Sequence, residues 1–419
     1  MSRDVFTEVV RANRAGRAVA LASVCTAHPD ALAASLRLAE ARDKTLLIEA
    51  TSNQVDQFGG YTGMRPPDFI AMVQAICARE GVDPARAVFG GDHLGPQGWR
   101  SEPAESAMAK AADLMRAYLR AGFAKIHLDC SEGCAGEPAQ VGDALAASRA
   151  AALAAVCEDE APGRALYVVG TEVPPPGGAR KDEAGVAPTP PERALATLEA
   201  HRAAFAAAGA SAAFERVRGL VVQPGVEFAP DHVDRLDLNA PDRLSAALKD
   251  HPDLAFEAHS TDYQYPEVYP ALARRGFVVL KVGPALTFAW RQALYGLSHV
   301  QGWLDGRAHV SEVMERLMLA EPKFWRGHYP DDRVLRHFGY ADRIRYYWAK
   351  PEAQAAVSAL EAAFDAARPP APLMEQYFSQ EILTRAEALR GEGVTPAKSL
   401  LYAQVQAALD PYLFPEGAA

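Results

Sequence analysis

Eight short apolar runs, each followed by a helix-like stretch, alternate along residues 18–283 of the sequence. The runs end in polar or glycine-rich clusters, and the stretches between them are rich in alanine and leucine. Near-continuous apolar strands indicate a parallel sheet that is covered by helices. Eight such units over about 280 residues predict a (β/α)8 TIM barrel. The predicted strands are residues 18–25, 45–50, 87–91, 125–130, 166–173, 219–226, 254–260 and 277–283.

The alternative fold is an open, doubly wound parallel sheet. Such sheets bind dinucleotides through a Gly-x-Gly-x-x-Gly turn after the first strand. No such turn follows the run that ends at residue 25. The barrel is therefore favoured, and no nucleotide cofactor is expected.

After residue 284 the pattern changes, because helix-like stretches follow one another without a convincing strand between them. We predict a barrel at residues 1–299 and a helical C-terminal extension at residues 300–419. The extension is expected to pack on the barrel or to make an oligomer contact, and a homo-oligomer is expected. Within the barrel, the Thr189–Glu192 spacing predicts a capping box at a helix start.

Charge and cysteine content exclude several classes of protein. A formal net charge of -10 argues against a nucleic-acid partner, which would need a basic face. No apolar stretch has membrane-spanning length, and the N-terminal residues lack an apolar signal core, so we expect no membrane partner and a cytoplasmic location. Five cysteines, an odd number, do not indicate a disulfide framework.

Acids and imidazoles follow most of the predicted strands. Since the active site of a (β/α)8 barrel lies at the carboxyl ends of its strands, these side chains are expected to share one rim. A metal site is the economical explanation, because a cation pairs carboxylates that otherwise repel one another. Any one of these acids could instead cap a helix, and His127 could be a satisfied core histidine. The candidates, in strand order from the second to the eighth, are Glu49; Asp92 and His93; His127 and Asp129; Glu172; Gln223 and Glu227; Glu257 and His259; and Lys281.

The third run ends in the sequence AVFGGDHLGP, which places Asp92 beside His93. Neighbouring residues of a regular strand point to opposite faces. The two glycines before the pair permit an irregular geometry in which both side chains reach the site. By contrast, the i, i+2 spacing of Glu257 and His259 puts both on one face without any irregularity.

A long loop rich in proline and glycine, PPPGGARKDEAGVAPTPPER, follows the fifth strand at residues 174–193. Loops of this length are uncommon in compact domains unless they form lids or binding loops. The alternative is a disordered surface excursion. Its position at the face that carries the candidate residues favours a lid that excludes water.

Seven ordered motifs in the sequence resemble those of the Z-type subunit of tagatose-bisphosphate aldolase, the GatZ/KbaZ family. They are LLIEATSNQVDQFGGYTGM, GGDHLGP, KIHLDCS, GTEVPPPGG, VVQPGVEF, FEAHSTDYQ and LKVGPALTFA. The resemblance implies a TIM barrel related to the class II, metal-dependent aldolases. An older name for the family, tagatose 6-phosphate kinase, is not supported, because the sequence has no Gly-x-x-x-x-Gly-Lys-Ser/Thr loop.

By resemblance to the class II aldolases, Asp92 is the proton-transferring acid/base and His93 is a metal ligand. His259 is the candidate second histidine, whereas the sixth strand offers Gln223 where those aldolases have a histidine. Glu172, Asp129 or Gln223 would then complete the shell of a divalent metal, Zn, Mn or Mg, with a more oxygen-rich ligand set.

The resemblance implies two possible functions. The first is metal-dependent C4 epimerisation of a ketohexose or its phosphate, between the tagatose and fructose types. In it, Asp92 or Glu172 removes the C4-hydroxyl proton, the C3–C4 bond opens and closes, and Glu257 or Glu172 returns a proton. The alternative route is proton removal at carbon with a second acid/base. The second is a non-catalytic subunit that stabilises a separate class II aldolase catalytic subunit. The costly rim of buried acids favours the enzyme.

Substrate contacts are expected at two places. Glu49, Asn53 and Gln54 lie at the second strand end and in its loop. For a phosphate, the resemblance points to the loops after strands seven and eight, with a contribution from the extension. The candidates there are Ser260, Thr261, Lys281, the backbone after KVGP, and Arg343 and Arg345, for which ordinary salt bridges are the alternative.

Overall fold

Eight parallel strands close into a barrel in the spatial order β1-β8-β7-β6-β5-β4-β3-β2. The computed structural model describes residues 2–171 and 186–416, with side chains from residue 5 onward. The strands are β1 Leu21–Val24, β2 Leu46–Thr51, β3 Ala87–Leu94, β4 Lys125–Leu128, β5 Leu166–Val169, β6 Val217–Val221, β7 Ala255–Ala258 and β8 Phe277–Val282. All eight predicted strands and the predicted barrel are confirmed.

Helices cover the outside of the barrel and continue into the C-terminal part. A two-residue antiparallel pair, Glu227–Phe228 with Val233–Asp234, lies between β6 and β7. The helices of the described ranges are α1 Ser2–Arg14, α2 Pro29–Ala41, α3 Pro66–Glu80, α4 Ala104–Ala121, α5 Asp143–Glu160, α6 Pro191–Ala207, α7 Ser211–Phe214, α8 Val268–Arg274, α9 Pro284–Asp305, α10 Val310–Ala320, α11 Arg333–Phe338, α12 Pro351–Ala366, α13 Ala371–Met374, α14 Gln380–Gly391 and α15 Pro396–Leu409.

The amino end of the barrel is closed by an apolar layer. Phe6 and Val10 of α1 are buried and pack with inward-facing strand residues such as Leu47, Val88 and Val279. Burial of these side chains removes water from this end and stabilises the closed barrel. The polar interior is thereby confined to the carboxyl ends of the strands.

The capping box predicted from Thr189 and Glu192 is wrong. Helix α6 begins at Pro191, and Pro190 takes the N-cap position. The Thr189 hydroxyl instead accepts a hydrogen bond of 2.8 Å from the backbone N–H of Gln223. Thr189 therefore ties the start of α6 to the loop after β6, a tertiary contact that outweighs the local capping pattern.

The C-terminal helices pack on the carboxyl side of the barrel through specific polar contacts. Lys398 of α15 binds Asp30 at 2.8 Å, and the hydroxyl of Tyr412 donates to the carbonyl of Thr261 at 2.8 Å. Helix α9 runs continuously through residue 300, and the division of the chain at that residue remains a prediction. All five cysteines are free. Among the described residues, no helix has the length and apolar content needed to span a membrane.

Gly95, which follows β3, lies directly against the backbone at the end of β4. A Cβ at Gly95 would lie 1.7 Å from the carbonyl oxygen of Asp129. We expect Gly95→Ala to lower the free energy of unfolding by at least about 2 kcal/mol, measured by urea unfolding. Gly98→Ala is the matched control, because a Cβ there meets no atom within 4 Å. If Gly95→Ala and Gly98→Ala had the same free energy of unfolding, Gly95 would not lie as close to the Asp129 carbonyl as the structure shows.

Candidate active site

A buried ion network fills the barrel interior below the strand ends. Lys125 of β4 binds Glu49 of β2 at 2.6 Å and Glu257 of β7 at 2.8 Å. Lys281 of β8 binds Asp92 at 2.6 Å, lies 3.4 Å from Glu257, and also pairs with Glu49. These side chains are almost wholly buried, and buried charges need such partners. The network links five strands, β2, β3, β4, β7 and β8.

The side chain of Glu49 has room in the network because the third strand has a glycine beside it. Glu49 lies opposite Gly90 in the parallel register, two residues before Asp92 on β3. A Cβ at Gly90 would lie 2.6 Å from Glu49 Oε1. The first glycine of the GGDH sequence therefore makes room for the ion network, one layer below Asp92.

Asp92 and His93 both line the pocket above this network. Two neighbouring residues can do so only where the strand is irregular. The irregularity lies at His93 itself, whose φ is +48°, and the β3–β4 register shifts between Gly91 and Leu94. A left-handed backbone is uncommon for a residue other than glycine, and such strain often marks a functional position. The expectation about the pair holds, although the turn occurs at the histidine.

Three imidazoles surround the space next to Asp92. The ring centroids of His93, His127 and His259 are separated by 5.0 to 5.3 Å. The third imidazole thus comes from β4, where sequence reasoning considered His127 a possible core histidine. The sequence signal for a site role of His127 is its i, i+2 spacing from Asp129, because this spacing places both side chains on one face of the strand.

Asp129 orients His93. Asp129 Oδ2 lies 2.8 Å from His93 Nδ1, and Oδ1 accepts hydrogen bonds from the backbone and hydroxyl of Ser131 at 3.1 and 2.7 Å. When Nδ1 donates to the carboxylate, the lone pair of His93 Nε2 is available to a ligand. Carboxylates that fix metal-binding histidines act in this way. Asp129, predicted as a ligand, thus has both oxygens engaged by other groups.

Atoms of four side chains converge within metal-binding range. Asp92, His127, Glu257 and His259 each offer one ligand atom, and these atoms lie within 4.8 Å of one another. His127 Nδ1 is 3.0 Å from Asp92 Oδ1, whereas the buried Nε2 of the same ring has no hydrogen-bond partner among the described residues. A buried nitrogen without a partner is costly unless it binds a ligand.

The charge balance also favours a cation. Four buried carboxylates face two buried ammonium groups in this region, which leaves two negative charges when all three imidazoles are neutral. Burial would lower the pKa of His93, but Asp92 and Asp129 raise it, and a protonated His93 would leave one negative charge. Burial, together with the charge of Lys281, lowers the pKa of His259 to about 3, so this imidazole is neutral at physiological pH. A divalent metal would balance the remaining charge, and the donor set fits one. The charged groups are Glu49, Asp92, Asp129, Glu257, Lys125 and Lys281.

The carboxylates keep their charge despite burial. Burial alone would raise the pKa of Asp92, but His93 and Lys281 outweigh it and hold that pKa well below its usual range. For Glu257, Lys125 and Lys281 likewise overcome burial and lower the pKa. Such charged groups can bind a metal or accept a proton from a substrate.

The pocket is walled by loops and by the C-terminal extension. Asn53 and Gln54 line it from the loop after β2, and Ser260 and Lys281 line it from the ends of β7 and β8. Arg345 lines it from the extension, on the short turn Arg343–Tyr347. Sequence reasoning did not single out three further lining residues of interest, which are Tyr61, Asp262 and Tyr346.

A carboxylate occupies the place where barrels of this kind often bind phosphate. Asp262 Oδ1 accepts hydrogen bonds from the backbone N–H groups of Gly283 and Ala285, at 3.1 and 2.8 Å, at the start of α9. The Thr261 hydroxyl donates to the carbonyl of Lys281 at 2.7 Å. The expected backbone donors and Thr261 are therefore already bonded, and the ammonium of Lys281 is held by the ion network.

Two carboxyls beside this wall have raised pKa values. Burial raises the pKa of Asp262 to about 6 and the pKa of Glu227 to about 7. Protonation of either group reduces the cost of its burial. The two carboxyls in the loops after β6 and β7 thus take up protons closer to neutral pH than ordinary carboxyls do.

The remaining predicted residues lie away from the pocket wall or outside the described residues. Glu49 is fully buried and does not line the pocket. Its carboxylate accepts a hydrogen bond of 2.6 Å from the Ser23 hydroxyl and also binds the two lysines. Gln223 uses Oε1 to accept the backbone N–H groups of Gly225 and Val226. Arg343 lies beside Arg345 and contacts His328 at 2.8 Å. Glu172 and most of the predicted lid lie outside the described residues.

The fold and the buried cluster together define a (β/α)8-barrel enzyme with its site at the carboxyl ends of the strands. A family model described as D-tagatose-1,6-bisphosphate aldolase subunit GatZ/KbaZ-like matches residues 6–415. The chain belongs to this family, as the sequence motifs predicted.

Two relatives are similar over nearly the whole chain. One, named D-tagatose 6-phosphate 4-epimerase, from Agrobacterium fabrum (strain C58 / ATCC 33970), is 50% identical over 387 residues, which cover 90% of this chain and 91% of the relative. The other is the crystal structure of a probable tagatose 6 phosphate kinase from Sinorhizobium meliloti 1021. It is 45% identical, has a TM-score of 0.85, and the match covers 94% of this chain and 99% of that one.

Lys125 is a test of the ion network. Lys125→Met preserves much of the side-chain volume but leaves Glu49 and Glu257 with less compensation. We expect the free energy of unfolding to fall by about 3–5 kcal/mol, measured by urea unfolding. Lys110→Met is the control, because the Lys110–Glu102 pair is about one-third exposed and should contribute less than about 1 kcal/mol. A Lys125 variant as stable as the Lys110 variant would contradict the role of the network.

Proposed function

We propose that this enzyme interconverts ketohexose 6-phosphates of the tagatose and fructose types by inverting carbon 4. The observation that carries the proposal is the cluster of three imidazoles and Asp92 that opens into a pocket lined by Arg345. The 50% identical relative named D-tagatose 6-phosphate 4-epimerase supports the substrate class.

His127, His259 and Glu257, whose ligand atoms lie within 4.8 Å of one another, would hold a divalent metal together with His93, whose ring is 5.3 and 5.0 Å from the two other imidazoles. A metal bound there would polarise the C2 carbonyl and the C3 hydroxyl of an open-chain ketose. Asp129 would keep the ring of His93 in the binding orientation through the 2.8 Å contact at Nδ1.

Asp92 is the proposed proton acceptor at the C4 hydroxyl. It lines the pocket, and its pKa lies well below the usual range, so it is charged when the substrate arrives. Removal of the C4-hydroxyl proton allows the C3–C4 bond to open, which gives an enediolate and an aldehyde. Rotation of the aldehyde and re-formation of the bond invert carbon 4, whereas release of the two fragments would be aldolase activity.

Arg345 and Ser260 are the proposed contacts of the substrate phosphate. Lys281 is held by the ion network, and the backbone amides at the start of α9 are bonded to Asp262. Arg345 is the cation of the pocket that comes from the extension, and its guanidinium bonds are to carbonyl groups and a phenol rather than to a carboxylate. A bound phosphate would thus meet a positive charge that has no carboxylate partner among these hydrogen bonds.

A non-catalytic role beside an aldolase catalytic subunit is the second candidate. It predicts that the isolated chain does not epimerise sugar phosphates and that it raises the activity of the aldolase subunit on mixing. Turnover by the isolated chain would contradict a purely supporting role.

A homo-oligomer and a cytoplasmic location stay predictions.

His127 tests the metal site. We expect His127→Ala to lose bound divalent metal and to convert tagatose 6-phosphate to fructose 6-phosphate at least about 100-fold more slowly. Metal content is measured by mass spectrometry after incubation with Zn, Mn or Mg, and the rate by coupled assay. His232→Ala is the control, since His232 is an exposed histidine beside Asp231. Unchanged metal content and rate in the His127 variant would refute this site.

Arg345 tests the phosphate contact. Arg345→Met should raise the KM for tagatose 6-phosphate about 10- to 100-fold, because a charge-assisted hydrogen bond to phosphate is lost. The KM for unphosphorylated tagatose, measured in the same assay, should change little. Arg326→Met, at an exposed arginine of the same extension, is the control. An equal rise in KM for both sugars would show that Arg345 does not recognise the phosphate.

A further inference from the structure

A tyrosine of the C-terminal extension lines the same pocket as the imidazole cluster. Tyr346 lies on the turn Arg343–Tyr347 and is buried. Its phenolic oxygen accepts a hydrogen bond from Arg345 Nη2 at 2.9 Å and lies 3.5 Å from Arg343 Nη1. Two guanidinium groups therefore converge on one phenol inside the pocket.

The ring of Tyr346 is held firmly. It packs edge-on against Tyr61, with ring centroids 4.7 Å apart, and stacks on Phe324 at 4.9 Å and 9°. The turn that carries it follows Asp342, which binds Arg291 at 3.1 Å and Thr287 at 2.6 Å in α9. A phenol fixed in this way keeps its oxygen at one position, as proton transfer requires.

The surroundings of the phenol make it a stronger acid than an ordinary tyrosine. Burial alone would raise the pKa of Tyr346, but the charges of Arg345 and then Arg343, with hydrogen bonds from Arg345 and Asn53, lower it below the ordinary tyrosine value. The neighbouring Tyr61 also faces it, and burial raises the pKa of that phenol instead. Of the two tyrosines in the pocket, Tyr346 is the one prepared to exchange a proton.

Inversion at carbon 4 needs two proton-transferring groups. The first takes the proton of the original C4 hydroxyl, and the second supplies a proton to the oxygen of the rotated aldehyde when the bond forms again. Asp92 enters the pocket from a barrel strand, whereas Glu257, predicted for the second role, is fully buried in the ion network. Tyr346 enters from a different wall, on the extension.

Other titratable groups that line the pocket are less suited to this role. Burial raises the pKa of the Cys25 thiol far above its usual range, so the thiol keeps its proton. Lys281 is bound by Asp92, Glu49 and Glu257. Asp262 binds two backbone N–H groups at the start of α9 through one carboxylate oxygen.

We propose that Tyr346 is the second catalytic acid/base, which protonates the C4 oxygen after the aldehyde has rotated. This inference rests on the proposed epimerase function. Asp92 takes one proton from O4 as the C3–C4 electron pair moves onto the C2 carbonyl to form the enediolate. The enediolate carbon C3 then attacks the opposite face of the aldehyde, and O4 takes the phenolic proton of Tyr346. One proton leaves and one returns, with no net oxidation, and exchange with water resets the two groups.

The test is Tyr346→Phe, which removes only the hydroxyl. We expect kcat for tagatose 6-phosphate to fall at least about 100-fold while KM changes by less than about threefold. Tyr347→Phe is the matched control, because its hydroxyl donates to the carbonyl of Glu321 away from the pocket, and it should keep wild-type kcat. Near-ultraviolet titration of the phenolate supplies a readout that needs no turnover. The wild-type protein should show one phenol that ionises at lower pH than the others, and Tyr346→Phe should lack it.

Two results would overturn the inference. A Tyr346→Phe enzyme with raised KM and unchanged kcat would make Tyr346 a binding residue only. If the difference between the titration curves of the wild-type protein and Tyr346→Phe contained no phenol that ionises at low pH, Tyr346 would not exchange a proton readily. Failure of the proposed function itself would be seen in the wild-type chain, as absence of epimerisation, and is thus distinct from failure of the variant alone.

Discussion

The buried ion network of Lys125 and Lys281 with Glu49, Asp92 and Glu257 is the interaction on which the site depends. Charges without water are tolerated only when opposite charges lie beside them, so the network fixes the positions of five strands relative to one another. It replaces an apolar core in the carboxyl half of the barrel. It also leaves more negative than positive charge, which a bound cation would balance.

The layers above the network follow from it. Asp92 is held charged by its neighbours, and the left-handed backbone at His93 turns the next side chain toward the same pocket. Asp129 then fixes the ring of His93, and His127 and His259 complete the triangle. Backbone strain at one residue and buried charge below it are thus the costs of a preorganised site.

The C-terminal extension contributes to the site as well as to the fold. Because Asp262 occupies the backbone donors at the start of α9, an anion bound in the pocket would need groups supplied from elsewhere. Arg345 and Tyr346 are supplied by a turn that Asp342 anchors to α9. The pocket is therefore formed jointly by barrel loops and extension, and the barrel alone would leave one of its walls open.

Alternating apolar runs determined the barrel, and the polar residues that end them determined which face carries the chemistry, since strand ends of a parallel barrel must meet at one rim. Asp92, His93 and His259 could be chosen from that position. Only the tertiary structure showed that His127 closes the imidazole triangle, that Gln223 caps its own loop, and that Tyr346 reaches the pocket. Periodicity reports which face a side chain occupies. Which side chains meet depends on barrel closure, register shifts and the packing of distant segments, and these are properties of the folded chain.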